Sequence, residues 1–343
     1  MPVISKQKPV TSNQQPTSNL QPPASIIVPN WNGAHHLPTC LGSLRRQTYP
    51  HFEVIVVDNG STDDSLALLA RDFPEVRVVA LATNRGYAGG VNAGFRAARG
   101  EILAVLNNDA EADPDWLAEM VAALHRHPEA GMATPKVLLF DRRDTLHTAG
   151  DYCGVDGIPD SRGVWQRDEG QFDTEELIFG AAGVAPAYRR TMLDDIGLLD
   201  EDFGSYCEDV DLAWRAQLAG YKCVYVPRAV VYHKLSATGG GPIASFYVAR
   251  NTIWTIVKNY PPALWRKNWT HILRAQMRRG WSALRAWRGA AARATLRGQL
   301  AALPGLPRAW RKRRVIQRAR RVSDDYIESC LLSNDQIGSL SGG

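Results

Sequence analysis

EVIVVDNGSTDDS, residues 53–65, changes character at its sixth residue. Val54 to Val57 form an apolar run with no polar alternation, too short for a helix and suited to a strand covered on both faces. Asp58, Asn59 and Gly60 stop it, and a helix is expected near 63–72, with Ser61 or Thr62 as its cap and Asp63 and Asp64 favouring its positive end. The same rhythm recurs on either side. SIIVPN (25–30) reads as a strand leading to a helix near 35–46, and VRVVAL (76–81) as a third strand. NRGYAGGVNAG (84–94) reads as a glycine-rich turn before a short helix. EILAVLN (101–107) reads as a fourth strand, followed by a helix from Pro114 to about His127. Alternating strands and helices of this kind predict an α/β fold, a mostly parallel sheet with helices on both faces.

The chain has 343 residues, 45% of them hydrophobic, enough for one large core or two smaller ones. Its five cysteines, Cys40, Cys153, Cys207, Cys223 and Cys330, show neither CxxC nor Cys/His metal spacing, which points to a reducing compartment without structural zinc. Residues 1–24 are rich in Pro, Gln, Ser, Thr and Asn and are expected to form a disordered leader without a signal-peptide core. No run approaches the roughly 20 apolar residues of a spanning helix, so an integral membrane protein is not expected. Charge is unevenly placed. The net charge is +5, yet residues 251–323 hold eighteen Lys and Arg and no acid, which leaves the remainder near −13. An acidic body therefore carries a basic tail.

In an open α/β sheet, ligands bind beyond the carboxyl ends of the strands. Asn30, Asn32, Asp58, Asn84 and the Asn107–Asn108–Asp109 run all fall just past strand ends. Each alone is an ordinary turn former. Their recurrence at one edge suggests a single site, and a diphosphate ligand would explain it. Mg²⁺ or Mn²⁺ commonly bridges one or two carboxylates to substrate phosphates, with Asp109 as the ligand and Asn107 beside it.

A second polar cluster lies in SYCEDVDLAWRAQLAGY (205–221). Ser205 and Glu208 have capping-box spacing, and Asp211 can pair with Arg215 one turn on. Asp209 finds no such partner, since Leu212 and Ala213 occupy its neighbouring positions. A carboxylate at a helix start facing a cleft is a reasonable general base.

VPNWN, VVDNGSTD, NRGYAGGVNAG, LNND, YCEDVDLAWRAQLAGYK (206–222) and VVYHKLSAT (230–238), in this order, resemble family 2 glycosyltransferases, particularly bacterial rhamnosyltransferase-like members. The resemblance spans about residues 25–238 and implies a GT-A-like fold. It places Pro29, Asn30, Asn32 and Asp58 in the nucleotide pocket, with Asn84 and Gly86 closing over it and Asn107 and Asn108 beside it. Asp109 keeps the metal role of the family's Asp-x-Asp, Asn107 replaces the first carboxylate, and His233 lies on the metal or diphosphate side. Asp209, with Glu208 next to it, is implied as the catalytic pair of an inverting transfer, Asp209 being the general base. Phe179 to Gly183, including Gly180 and Ala181, are expected to line the acceptor cleft together with Asp211, Trp214 and Arg215.

The implied reaction moves a sugar, possibly rhamnose, from a dTDP- or UDP-sugar donor to a cell-envelope glycan or lipid-linked acceptor. Residues 25–240 would form the catalytic domain, with a nucleotide-binding half at about 25–110 and an acceptor half at about 111–240. A basic amphipathic helical region at 241–323 and a tail at 324–343 would follow.

From Trp265, apolar residues recur at Trp269, Ile272, Leu273, Met277, Trp281, Leu284 and Trp287, with Lys267, Arg274, Arg278 and Arg285 on the other face. Aromatic residues opposite arginines suit a helix lying in a membrane interface, here the cytoplasmic face of an anionic membrane. RAWRKRRVIQRARR (308–321) would add attraction. The competing reading packs the stripe on the catalytic domain. Nucleic acid is disfavoured by the acidic body and the lack of a recognised module. A nucleotide-binding oxidoreductase would carry its glycines after the first strand, not the third. A glycosidase needs no nucleotide pocket, and a non-catalytic nucleotide- or membrane-binding adaptor would leave Asp109 and Asp209 without a purpose.

Overall fold

The computed structural model describes residues 23–234, 241–333 and 336–337. The expected leader lies outside these residues apart from its last two positions, as do Leu235–Thr238 of the VVYHKLSAT stretch and most of the tail beyond 333.

The first half alternates as its apolar runs predict. β1 (Ala24–Asn30), α1 (Leu37–Leu44), β2 (Phe52–Asp58), α2 (Ser65–Asp72), β3 (Arg77–Ala80), α3 (Gly86–Ala97) and β4 (Ile102–Val105) follow in order. β5 (Ala110–Ala112), α4 (Trp116–Arg126) and the long β6 (Ala130–Leu139) come next. Five short strands then appear: β7 (Leu146–Thr148), β8 (Asp151–Cys153), β9 (Pro159–Ser161), β10 (Glu176–Ile178) and β11 (Ala187–Arg189). α5 (Arg190–Ile196), α6 (Glu208–Ala219) and β12 (Lys222–His233) complete the sheet layer. Helices α7 (Gly241–Asn259), α8 (Pro262–Arg285), α9 (Ala290–Ala302), α10 (Leu306–Ala319) and α11 (Asp324–Cys330) follow.

Ten strands form one mixed sheet in the order β10-β12-β6-β11-β4-β1-β2-β3, with β5 on β12 and β7 on β6. β1 pairs in parallel with both β2 and β4, so chain direction across the sheet reverses at β1. That is the switch point where the carboxyl ends of strands open a crevice. β11 is inserted antiparallel between β4 and β6, whereas β6 and β12 run parallel. β8 and β9 form a separate ribbon.

The central strands β1, β4 and β6 are covered on both faces, which is why their sequences lack alternation. Ile26 and Val28 pack in one cluster with Leu37, Leu41, Trp116 and Met120. Ile27, Ile55 and Val57 pack in another with Val91, Phe95, Trp214 and Tyr260.

The expected turn at 84–94 is instead mostly helix α3. Its glycines lower helix propensity but permit close packing: a methyl group at Gly94 would stand 2.4 Å from Ile27 Cγ2. α2 begins at Ser65 rather than near 63, without a side-chain cap from Ser61 or Thr62. The Asp63 carboxylate accepts from the Ser65 N–H at 3.1 Å.

The basic helices are fastened to the sheet layer. Lys258 on α7 is 2% exposed and lies 2.6 Å from Asp211 on α6, while its ammonium also reaches Asp200. α8 faces inward through Leu264, Asn268, Ile272, Ala275 and Ala283. The stripe expected to lie on one face is therefore split: Ile272 is buried, but Trp269, Leu273, Met277, Trp281, Leu284 and Trp287 are exposed. The reading that packs this stripe on the catalytic domain fails for those six residues. α11 lies within the expected tail and buries Ile327 in the core.

Candidate active site

At the switch point the tips of β1, β2 and β4 are tied together. Asn30 Nδ2 donates to Asp58 Oδ1 at 3.2 Å and to Ser65 Oγ at 3.0 Å. Asn108 Nδ2 donates to Asn30 Oδ1 at 2.8 Å. Asn30 and Asp58 are each 1% exposed, so this network forms the wall of the crevice rather than its surface. Asn32, with φ 51°, accepts from the Thr62 N–H at 2.7 Å and holds the first turn against the second. Pro29 is half-buried at the end of β1.

The turn around Asn84 is organised by Asn59, a residue that sequence reasoning passed over as part of a turn signal. Asn59 Oδ1 accepts from the Arg85 N–H at 2.9 Å, and its amide donates to the Gly86 carbonyl at 2.9 Å and to Asn84 Oδ1 at 3.2 Å. Gly86 has φ 72°, and a methyl group there would meet the Gly204 carbonyl oxygen at 2.7 Å.

Beyond β4, Asp109 lies beside His233 because β5 pairs antiparallel with β12, matching Ala110 to His233. Asp109 Oδ1 and His233 Nε2 are 3.1 Å apart and both residues are buried. His147 stacks on His233 with ring centroids 4.9 Å apart, and burial with His233 nearby holds its pKa down to about 4. His36 is buried, with neither ring nitrogen partnered. These two histidines come from segments whose sequence gives no metal or ligand spacing. Among the described residues no group of three or more His, Cys, Asp or Glu is arranged to hold an ion.

Asn107 faces elsewhere. Its Oδ1 lies 3.0 Å from the Tyr87 hydroxyl, which is also 2.6 Å from the Gly183 carbonyl. The Gly183 N–H donates to Asp209 Oδ2 at 2.9 Å, and the Val210 N–H to Asp209 Oδ1 at 2.7 Å. Tyr87 thus joins the strand-tip edge to Asp209. Asp209 keeps part of its surface open, while desolvation raises its pKa above the usual carboxylate range against the pull of the backbone donors. Glu208 is 4% exposed with Oε2 unpartnered; burial, and then the nearby Asp209, push its pKa well up.

Asp151 was not foreseen. It bridges Gly180 through reciprocal backbone hydrogen bonds of 3.1 and 3.2 Å. Burial, and then Asp209, raise its carboxyl to about 8, while Ser161 donates to it at 2.6 Å. It brings a second protonatable group close to Asp209, beside Gly180, which is buried like Ala181.

Three expected acceptor residues belong to the scaffold. Asp211 is fully buried against Lys258, Arg215 and Asn259. Trp214 is 1% exposed and packs on Phe179 and Tyr260. Arg215 donates to the carbonyls of Ile196, Gly197 and Leu198. The expected capping box is absent as well. α6 has no side-chain cap, and Ser205 Oγ instead accepts from the Tyr87 N–H at 3.2 Å.

The chain is 34% identical over 228 residues to an uncharacterized protein, y4gI, of Sinorhizobium fredii, and 33% identical over 225 residues to the O-antigen biosynthesis protein RfbC of Myxococcus xanthus. It covers 63% and 62% of its own length in these matches, but spans only 25% and 17% of those longer relatives. It is 29% identical over 272 residues to the N-acetylglucosaminyl-diphospho-decaprenol L-rhamnosyltransferase of Mycobacterium tuberculosis, covering 71% of this chain and 88% of that one. Among solved structures, the mannosyltransferase PcManGT of Pyrobaculum calidifontis in complex with GDP-Man and Mn²⁺ has a TM-score of 0.52 at 19% identity. That match covers 91% of this chain and 84% of the other, and shows a shared fold. The model of glycosyl transferase family 2 matches residues 25–197, and the chain belongs to that family and has its GT-A fold.

Proposed function

We propose that this glycosyltransferase moves a sugar, with inversion, from a nucleoside-diphosphate donor to a hydroxyl of a polyprenyl-diphosphate-linked or cell-envelope glycan acceptor. The Tyr87 hydroxyl carries the reading, because it joins Asn107 on the strand-tip edge to Gly183, whose N–H holds Asp209. In this reading donor and base stand at the two ends of that link. Rhamnose from dTDP-rhamnose is the donor favoured by the similarity to the mycobacterial rhamnosyltransferase, whose name also motivates the lipid-linked acceptor.

Asp209 takes the proton of the acceptor hydroxyl as that oxygen bonds to the anomeric carbon. The carbon–oxygen bond to the diphosphate breaks, and its electron pair leaves with the nucleoside diphosphate. A raised carboxylate pKa makes Asp209 a stronger base than a solvated aspartate. Direct displacement needs no covalent enzyme nucleophile.

Asp109 and His233, 3.1 Å apart, would hold a divalent cation of the kind that carboxylates share with substrate phosphates. When bound, the cation neutralises charge on the departing diphosphate. Asn30, Asn32, Asp58, Asn84, Gly86 and Asn108 shape the nucleotide crevice, and Gly180, Ala181 and Asp151 the acceptor side.

We further place the enzyme at the cytoplasmic face of the membrane. No helix among the described residues is long and apolar enough to cross a membrane, but α8 presents exposed tryptophans on a helix without acids. Interfacial docking would bring a lipid-linked acceptor to the cleft. Calorimetric titration with UDP and dTDP, each with and without Mn²⁺, tests the donor side. Mn²⁺-dependent binding of one nucleotide is expected, and absence of both from folded protein would overturn the reading.

A further inference from the structure

The segment that delivers Asp209 to the cleft is bent into an unusual shape. Gly204, Tyr206 and Cys207 have φ of 72°, 68° and 64°, and the last two carry side chains in the left-handed region. Residues other than glycine enter that region where their surroundings enforce it. α6 has no side-chain cap of its own to set the geometry of its first turn.

The enforcement comes from outside the segment. On one side, the α3 N-terminus reaches it: the Ala88 N–H donates to the Gly204 carbonyl at 2.9 Å. On the other side stands Asn251 of α7, which is fully buried. Its amide nitrogen lies 3.1, 2.9 and 2.6 Å from the carbonyl oxygens of Phe203, Ser205 and Tyr206. The adjacent Arg250 orients it, with Nε donating to Asn251 Oδ1 at 2.8 Å and Nη2 to the Phe203 carbonyl at 2.7 Å.

Two of these carbonyls depend on the amide: without it those of Ser205 and Tyr206 would lose this donor where water has little access, whereas that of Phe203 keeps Arg250. The body of α6 is held independently, through Trp214 in the core and Asp211 against Lys258 and Arg215. Loss of the Asn251 amide would therefore loosen the first turn while leaving the helix in place.

We infer that Asn251 is a positioning residue for transfer: its amide fixes the Tyr206–Cys207 turn and thereby aims the Asp209 carboxylate into the cleft. This rests on Asp209 being the base. A residue of the C-terminal helices thus reaches the catalytic geometry through the backbone.

The test measures nucleoside diphosphate release by the full chain with Mn²⁺, using dTDP-rhamnose or UDP-N-acetylglucosamine, whichever the wild type turns over. Asn251→Ala is expected to lower kcat roughly 10- to 100-fold, with the donor KM nearly unchanged because the strand tips are untouched. Its acid limb should move to lower pH, since a loosened turn admits water to Asp209, which burial now keeps protonated to higher pH. The titratable groups near Asp209 are Glu208, Asp151, Tyr87, Tyr188 and Cys207, and Asn251→Ala alters none of them. Cys207→Gly in the same chain should restore part of kcat, because glycine adopts the turn unaided.

Wild-type kcat and an unshifted acid limb in folded Asn251→Ala, with Asp209→Asn inactive, would overturn the inference. Full turnover by Asp209→Asn would instead remove the base reading beneath it. If Asn251→Ala does not fold, Asn251→Ser, which keeps one donor, is read against the same outcomes.

Discussion

The Gly183 N–H donates to Asp209 Oδ2 at 2.9 Å, and a methyl group at Gly183 would stand 2.8 Å from that same oxygen. The hydrogen bond and the lack of a side chain act together, the first orienting the carboxylate and the second leaving it room. Gly183→Ala should push the carboxylate off its line and lower kcat roughly 100-fold, leaving nucleotide affinity intact. Asp209→Asn should abolish turnover and likewise leave nucleotide binding unchanged. Because desolvation raises the Asp209 pKa and the base acts deprotonated, wild-type kcat/KM should rise with pH through a value above the ordinary aspartate range. Steady-state kinetics across pH and calorimetry on both variants check this; normal turnover in Asp209→Asn would sink the base assignment.

Asp109 and His233 lie 3.1 Å apart and come from a paired register of β5 and β12 rather than from one motif. Asp109→Ala should reduce nucleotide affinity in Mn²⁺ to the level of wild type in chelator, and His233→Ala should weaken it less, since the carboxylate carries the charge. Titrations with and without Mn²⁺ separate the two. Affinity that keeps its full Mn²⁺ enhancement in Asp109→Ala would count against the clamp.

The sheet was legible because its central strands are covered on both faces, and Val54 to Val57 or Ile26 to Val28 leave no alternation to mislead. The strand tips were legible because polar groups recur wherever those runs stop. α3 was not, because glycine signals a turn locally, and only the approach of Gly94 to Ile27 explains glycines within a helix. Asp211, Trp214 and Arg215 share a helix with Asp209, and spacing cannot tell which of them points into the core. Tyr87, Asp151 and Asn251 act through partners 10 to 118 residues away or through backbone carbonyls, so no local pattern marks them.

Lys258 shows what the fold depends on where it joins the C-terminal helices. It is buried between Asp200 and Asp211. Burial is the largest single influence and would raise both carboxyl pKa values, but Lys258 together with Lys312 at Asp200 and Arg215 at Asp211 outweighs it, and both end below the ordinary range. Depressed carboxyl pKa values stabilise the fold above the unfolded value of about 4, and that contribution fades as pH falls through the folded ones. Lys258→Met should leave two buried carboxylates short of a partner and cost about 3–5 kcal/mol at pH 7. The deficit relative to wild type should narrow on acidification, as protonation removes the unpaired charge. Urea unfolding at neutral and mildly acidic pH reads both effects, and a pH-independent difference would reject the ion-pair account.

The exposed face of α8 gives the membrane reading a point test. Leu264 and Ile272 pack inward, so deleting the helix would open the core, whereas Met277 and Trp281 are 64% and 61% exposed and can change without loss of packing. Immersing an apolar side chain of that size contributes about 1.5–3 kcal/mol when complete, and each nearby basic residue adds roughly 1 kcal/mol at an anionic surface. Met277→Glu with Trp281→Glu both removes apolar area and introduces acid into a region that has none. Sedimentation with phosphatidylglycerol vesicles should show at least about tenfold weaker binding for the double variant, with an unchanged unfolding midpoint. Wild-type binding should also weaken as salt rises, because part of the attraction is electrostatic. Equal binding by variant and wild type would move the membrane contact off α8.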